Sequence, residues 1–199
     1  MKLHIATGNL GKLSEIKSFL SDLDIKLDFV RLEYNDLSEE TGSTFQENAL
    51  QKAMNAFLQT GIPTLAEDSG IEVDALRGEL GVKTRRWGAG ELASDEEWIL
   101  YFLERMKNEK NRKARFYTSA CLVVSLSEIY ICGGSCDGEI LQESNVSLLS
   151  GIPLSSYFVP SGYKKVFSEL SFSEKNKISH RGRAIKRIAK ILQNLQKKN

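Results

Sequence analysis

The chain of 199 residues has few cysteines, few prolines and no apolar run near the ~18 residues of a membrane-spanning helix. Its three cysteines, Cys121, Cys132 and Cys136, contain no C-x-x-C pair, so neither a disulfide framework nor a zinc ribbon is expected. Three prolines and 15 glycines exclude collagen-like and low-complexity sequences. The N-terminal segment also lacks the apolar core of a signal peptide. We therefore expect reduced thiols in a globular, cytoplasmic protein without a membrane partner.

An excess of either charge is also absent, since 27 Lys and Arg stand against 26 Asp and Glu. This balance argues against a nucleic-acid partner and against an acidic disordered tail. The charges are nevertheless segregated: residues 175–199 hold nine Lys and Arg and no acid, whereas all 26 acids precede them. The pattern predicts acidic loops suited to a metal and a basic terminal helix near a small anion, although a solvated helix face would have the same composition.

Apolar periodicity predicts helices and strands that alternate early in the chain and strands that follow one another later. The expected strands are 3–6, 27–32, 62–66, 116–126 and 129–133, and the expected helices follow residue 12, span 44–58 and 94–107, and begin near 181. Thr44 with Glu47 has the form of a capping box, and Ser94 can cap the next helix. The pattern indicates an α/β fold, a mixed sheet with an antiparallel extension, in one domain over 1–199.

The segment Thr-Gly-Asn-Leu-Gly-Lys at 7–12 follows the first strand and opens the first helix. Its glycines allow a sharp turn, the free N–H groups of the helix start can bind a phosphate, and Lys12 adds a positive charge. It is not a Walker A loop, because only two residues separate the glycines and Leu13 follows the lysine. An ordinary turn with a solvated lysine is the alternative.

Two acidic pairs stand beside predicted elements, Glu67-Asp68 at the end of a short strand and Glu39-Glu40 before a capped helix. Singly, either pair is typical of a solvated surface. Together they offer enough oxygens for a Mg²⁺ ion that keeps waters and phosphate oxygens as its other ligands.

Ser179-His180-Arg181-Gly182 opens the last helix. Cations at a helix N-terminus oppose the helix dipole, so His180 and Arg181 indicate a compensating anion or a purine carbonyl. The alternative is a surface pair behind an ordinary Ser179 cap.

These motifs, in this order and spacing, resemble the inosine triphosphate pyrophosphatase family. The matching segments are ATGNLGK at 6–12, ETGSTFQENA at 40–49, Lys52-Ala53, EDSGIEVDAL at 67–76, 81–86 and SHRG at 179–182. The resemblance implies a long twisted mixed sheet flanked by helices, two lobes with the active-site cleft between them, and a homodimer.

The resemblance also implies Mg²⁺-dependent hydrolysis of ITP, dITP or XTP to a nucleoside monophosphate and pyrophosphate. By the family pattern Asp68 and Lys12 would be catalytic, with Asp68 activating water, and Glu40 and Asp68 would bind the metal. The substrate-binding residues would be Thr7, Gly8, Asn9, Leu10, Gly11, Lys12, Lys52, Ser69, Lys175, His180 and Arg181. Lysines and metal would neutralise the α-phosphate and the leaving pyrophosphate.

Residues 150–156 read SGIPLSS where the family has Phe-Gly-Tyr/Trp-Asp-Pro, so the aromatic ring and the carboxylate of that segment are missing. Tyr157 or Trp87 would supply a replacement ring, or would simply pack in the core. This departure concerns base selectivity more than hydrolysis. It leaves open a related nucleoside triphosphate pyrophosphatase with altered base selectivity, or a nucleotide-binding sensor without efficient turnover.

Overall fold

A computed structural model describes residues 1–28, 41–90 and 92–198 of the chain. The described strands are β1 (Lys2–Ala6), β2 (Lys26–Asp28), β3 (Thr64–Val73), β4 (Lys113–Ser125), β5 (Glu128–Ile140) and β6 (Phe158–Pro160). The described α-helices are α1 (Leu10–Phe19), α2 (Phe45–Thr60), α3 (Asp95–Met106), α4 (Phe172–Ile178) and α5 (His180–Lys198).

The strands form one sheet in the order β2-β1-β3-β4-β5-β6. β1 runs parallel to β2 and β3, whereas each later pair of neighbours, from β3–β4 to β5–β6, is antiparallel. The predicted mixed sheet with an antiparallel extension is therefore confirmed. Parallel pairing needs crossover connections, and α1 and α2 supply them.

Helices cover both faces of the sheet because neighbouring strand residues point in opposite directions. Leu65 packs with α1 and α5 in one cluster, whereas Ala66 packs in another with the alanines of α2. Small side chains at 49, 53 and 56 let α2 lie close to β3, and all three are fully buried. A third cluster joins α3 to β5, β6 and the segment before α4.

The caps predicted from sequence are present. Glu47 N donates to Thr44 Oγ1 at 3.1 Å and Thr44 N donates back to Glu47 Oε2 at 3.2 Å, which closes the capping box of α2. Ser94 caps α3 in the same reciprocal way with Glu97. Ser179 Oγ accepts from Gly182 N at 3.0 Å at the start of α5.

Several predicted boundaries differ from the structure, and one of them is the strand expected at 129–133, which continues to Ile140 as β5. The strand expected to end at residue 66 continues to Val73, because β4 pairs with it along ten residues, and Glu67 and Asp68 therefore lie inside a strand. The segment 144–160 contains a 3-10 turn (Pro153–Ser156) and β6, and α4 was not predicted. Of the strand expected at 27–32, β2 ends at Asp28 and residues 29–32 lie outside the described residues.

The three cysteines are unpaired, as expected, and burial raises the pKa of Cys121 to about 12 and of Cys136 to about 11. Across the described ranges, no helix has the length and apolar character that crossing a membrane requires.

Candidate nucleotide site

A cavity of about 1220 Å³ opens where the β1–α1 turn, β3, α2 and the start of α5 meet. It is large enough for a nucleotide, since ligand pockets commonly enclose ~300–1,000 Å³. Most of the side chains and turns predicted from sequence line it: Thr7, Gly8, Asn9, Leu10, Lys12, Lys52, Asp68, Ser69, Lys175, His180 and Arg181. Gly11 is not part of the lining, and Glu40 lies outside the described residues.

The turn at 7–12 has the geometry of a phosphate-binding loop. Asn9 is the N-cap of α1, and its Oδ1 accepts from Lys12 N at 3.0 Å. The remaining N–H groups of a first helical turn have no partner within the helix and attract anions. Lys12 places its ammonium group 3.0 Å from a carboxylate oxygen of Glu67.

Asp68 and Glu67 are adjacent in β3 and point to opposite faces, so they do not form the paired carboxylates expected from sequence. Asp68 lines the cavity. Its Oδ1 accepts from Lys52 Nζ at 3.0 Å and its Oδ2 accepts from Asn48 Nδ2 at 3.1 Å. Because Asn48 and Lys52 are one helical turn apart on α2, this helix holds both oxygens of Asp68.

Glu67 is fully buried and binds cations from both ends of the chain. Its Oε1 lies 3.0 Å from Lys12 Nζ and 3.5 Å from a guanidinium nitrogen of Arg181, while Thr118 donates to Oε2 at 2.6 Å. Burial opposes ionisation, but Arg181 and Lys12 outweigh it and hold the pKa of Glu67 well below its usual value. Glu67 therefore remains charged, and it fixes Arg181 rather than a metal.

Glu15 was missed by the sequence interpretation. It accepts from Lys175 Nζ at 2.9 Å and from Arg181, and so joins α1 to α4 and α5. Although burial disfavours its charge, Arg181 and Lys175 lower the pKa of Glu15 to about 2. Glu15 lies three residues after Lys12, so both side chains are on one helix face. This spacing is the feature of the sequence that could have revealed Glu15.

His180 lines the cavity with a neutral aromatic ring. Its ring stacks on Phe116 with a centroid distance of 4.8 Å and an interplanar angle of 12°. Burial, with the charge of Arg181, lowers the pKa of His180 to about 3. Within the described residues its Nδ1 has no hydrogen-bond partner. The sequence predicted a compensating anion for the cations at this helix start. Glu15 and Glu67 supply that negative charge for Arg181, and His180 needs none because it is uncharged.

Residues 150–155 form the wall of the cavity where the family motif is absent, and we call them the wall segment. Ile152 and Leu154 present aliphatic groups there, and Ser155 is nearly buried. Trp87 and Tyr157 are not part of the lining and pack on the core behind it, so the core interpretation is confirmed for both. Trp98 of α3 does line the cavity, which the sequence interpretation did not anticipate.

No group of three or more His, Cys, Asp or Glu side chains suited to a metal occurs in the described parts of the chain. Of the predicted metal pair, Asp68 lines the cavity and Glu40 lies outside the described residues. A Mg²⁺ ion nevertheless needs only one or two protein carboxylates when phosphates and waters complete its shell.

The cavity thus combines two chemistries. Lys12, Lys52, Lys175 and Arg181 face it as cations, each held by a carboxylate. Phe116, Phe167 and His180 form a stacked aromatic group beside them. Fold and cavity define an α/β protein with a pocket for a polyanion that carries a planar ring.

The chain belongs to the Ham1 family, whose sequence profile matches residues 3–191. It is 39% identical to the dITP/XTP pyrophosphatase of Deinococcus deserti over 181 residues, which cover 91% of this chain and 84% of that protein. It is also 39% identical to the dITP/XTP pyrophosphatase of Leptospira interrogans over 194 residues, or 96% of each chain. The structure of a HAM1 protein from Coxiella burnetii superposes with a TM-score of 0.81 and 36% identity, covering 98% and 99% of the two chains. The resemblance seen in the sequence is confirmed.

Proposed function

We propose that this protein hydrolyses deaminated purine nucleoside triphosphates (ITP, dITP and XTP) to nucleoside monophosphates and pyrophosphate. The observation that carries the proposal is one cavity that is lined by Asp68, by Lys52, which binds Asp68, and by the neutral stacked imidazole of His180. The names of the relatives support the same substrates. Removing such nucleotides from the pool is the role that follows.

The phosphate groups bind the N–H groups of the 7–12 turn and the ammonium groups of Lys12 and Lys52. Phosphate oxygens compete there with the carboxylates that hold both lysines in the structure. Asp68, released from Lys52, accepts a proton from the water that attacks the phosphorus. The bond between α- and β-phosphates breaks, and the lysines neutralise the charge of the leaving pyrophosphate.

We propose Mg²⁺ as the cofactor, with Asp68 and Glu40 as its protein ligands. The donor set fits, because Asp68 offers a carboxylate at the cavity wall next to the place of the phosphates. When bound, Mg²⁺ supplies positive charge that stabilises the phosphates in the transition state.

The base lies at the end formed by Lys175, His180 and Arg181. A neutral imidazole has one N–H donor, and the two cations add further donors, so this end favours a purine with a 6-oxo group over adenine. The wall segment supports a second candidate, a pyrophosphatase of altered base selectivity. Ile152 stacks less strongly than an aromatic ring, which contributes ~1–3 kcal/mol per base.

The test is pyrophosphate release from a panel of ITP, dITP, XTP, GTP, ATP and UTP with Mg²⁺. We expect the deaminated purines to be preferred, and equal turnover of all six would replace the first candidate with the second. Asp68→Asn should lose at least about 100-fold in kcat, the contribution of a general base. Glu72→Gln, an exposed change in the same strand, is the control. An active Asp68→Asn variant would refute the role of Asp68 as the base.

We also propose that residues 1–199 form one domain of two lobes with the site between them, that the protein is cytoplasmic, and that it is a homodimer. The two lobes and the homodimer rest on the family resemblance, whereas the single domain and the cytoplasmic location are expectations drawn from the sequence. Light scattering of the purified protein tests the dimer, and a monomeric mass would remove it.

A further inference from the structure

We propose that Asp95 is a positioning residue that sets the wall segment against the phosphate-binding turn through the backbone of Gly151. The inference rests on the proposed function and deepens it, because it assigns the placement of the base to a residue outside the family motifs quoted above. Asp95 is the first residue of α3 and lines the cavity next to the wall segment.

Both polar groups of the Gly151 backbone are used. Gly151 N donates to Asp95 Oδ2 at 2.6 Å, and Gly151 O accepts from Asn9 Nδ2 at 2.8 Å. The other side-chain atom of Asn9, Oδ1, accepts from Lys12 N. A continuous series of hydrogen bonds therefore runs from the start of α3, through the wall segment, to the lysine of the phosphate-binding turn.

The wall segment and the phosphate-binding turn are in close contact. Gly151 has φ +75°, and a Cβ at this residue would lie 2.6 Å from Asn9 Oδ1. A Cβ at Gly11 would lie 2.7 Å from the carbonyl oxygen of Ser150. Backbone packs directly on backbone here, so a displacement of the wall segment moves the turn or opens a gap beside it.

An acid in the first turn of a helix is ordinary, because it faces the positive end of the dipole. Asp95, Glu96 and Glu97 all satisfy that preference, and Glu97 closes the capping box with Ser94. Among the described residues, Asp95 is the acid of this turn that bonds to the wall segment. Since Ile152 and Leu154 follow Gly151 and line the cavity, the position of the base depends on this bond.

The experiment compares Asp95→Ala with Glu96→Ala, which removes the same charge from the same turn at an exposed position. Loss of one hydrogen bond predicts a rise of about tenfold in KM for ITP in Asp95→Ala, with kcat changed less than about twofold. Asp95→Asn keeps an acceptor oxygen and should restore most of the affinity. Inhibition by inorganic triphosphate, which lacks a base, should weaken less than the binding of ITP, and an equal loss for both would contradict a role in placing the base. Equal KM values in Asp95→Ala and Glu96→Ala would overturn the assignment.

A double-mutant cycle with Asn9→Ser tests the path through Gly151. Serine still caps α1 but cannot reach the Gly151 carbonyl. If Asp95 and Asn9 both act through the backbone of Gly151, the double variant should bind ITP only slightly less tightly than the single variant with the larger loss of affinity. Losses that multiply would show that the two residues act independently, and would refute the series of bonds.

The failures of the two proposals are separable. If the wild-type protein releases no pyrophosphate from any nucleotide, the proposed function fails. Calorimetric titration with a non-hydrolysable ITP analogue then still compares Asp95→Ala with Glu96→Ala. Tighter binding to Glu96→Ala than to Asp95→Ala supports the role of Asp95, and equal binding refutes it.

Discussion

In this site, the role of a charged residue depends on the side chains that it contacts and not on its charge alone. Glu67 and Asp68 are neighbours in sequence, yet Glu67 lies between Lys12 and Arg181 while Asp68 faces Lys52 in the cavity. This difference in partners matters because a charge that is buried without a partner is strongly unfavourable. Glu67 therefore holds Lys12 and Arg181 in place, whereas Asp68 lines the cavity, where a ligand can reach it.

Glu67→Gln should lower the free energy of unfolding by about 3 kcal/mol, the lower end for breaking a buried ion pair. Thr118 still finds an acceptor in the amide, so the loss reports the charge that Lys12 and Arg181 require. Glu79→Gln is the control, since its ion pair with Arg105 is more than a third exposed and should contribute little to the free energy of unfolding. Urea unfolding measures both, and equal losses would contradict the prediction.

Among the elements, the long capped helices were predictable from the sequence, whereas the extent of the strands was not. The capped helices α2 and α3 were placed within two residues, because side-chain caps and periodicity are local signals. The length of β3 was not, since residues 67–73 are strand through pairing with β4 and not through local pattern. In the site, Lys12 and Asp68 were found from motifs, whereas Glu15 acquires its role from α5, 166 residues away.

Close packing of α5 on β5 fixes the first turn that carries His180 and Arg181. A Cβ at Gly134 would collide with His180 O and lie 2.9 Å from Ala184 N, both backbone atoms of α5. Gly134→Ala must therefore displace the helix, and we expect it to cost about 1–3 kcal/mol of stability and to raise KM for ITP.

The adjacent glycine is the control for this change. A Cβ at Gly133 would lie 2.6 Å from the hydroxyl of Tyr117, the far end of a side chain that can move. Gly133→Ala should therefore retain its affinity for ITP. If thermal unfolding and KM change equally in the two variants, close packing against α5 is not what positions His180.

Over the whole molecule, the separated charges of the sequence meet in the fold. The basic segment from residue 175 supplies Lys175 and Arg181, and acids from the first half of the chain, Glu15 and Glu67, receive them. The near-neutral total thus hides a buried network that holds α1, β3, α4 and α5 together. The residues of this network come from distant parts of the chain. The composition therefore revealed that acidic and basic residues are separated along the chain, but not which of them form ion pairs.

This network predicts that stability declines in acid. Glu15 has a pKa of about 2 in the folded protein against an ordinary 4.5, and His180 about 3 against 6.5. In both cases the unfolded chain binds more protons between the two values, so acidification favours unfolding. The contribution of these groups to the free energy of unfolding is fully present above about pH 6.5. As the pH falls, protonation of His180 reduces it first, and below about pH 4.5 protonation of Glu15 and Glu67 reduces it further.

Glu15→Gln separates the acid-sensitive carboxylate from the rest of the network. The variant should be less stable than wild type at pH 7, because Arg181 and Lys175 lose a charged partner, and its stability should depend less on pH between 4.5 and 2. Because the lowered pKa of Glu15 is the source of this pH dependence, the two curves should converge as the pH falls below 4.5. Urea unfolding at pH 7, 4.5 and 3 measures this. Parallel curves would show that Glu15 titrates normally in the folded protein, and that Arg181 is held by Glu67 alone.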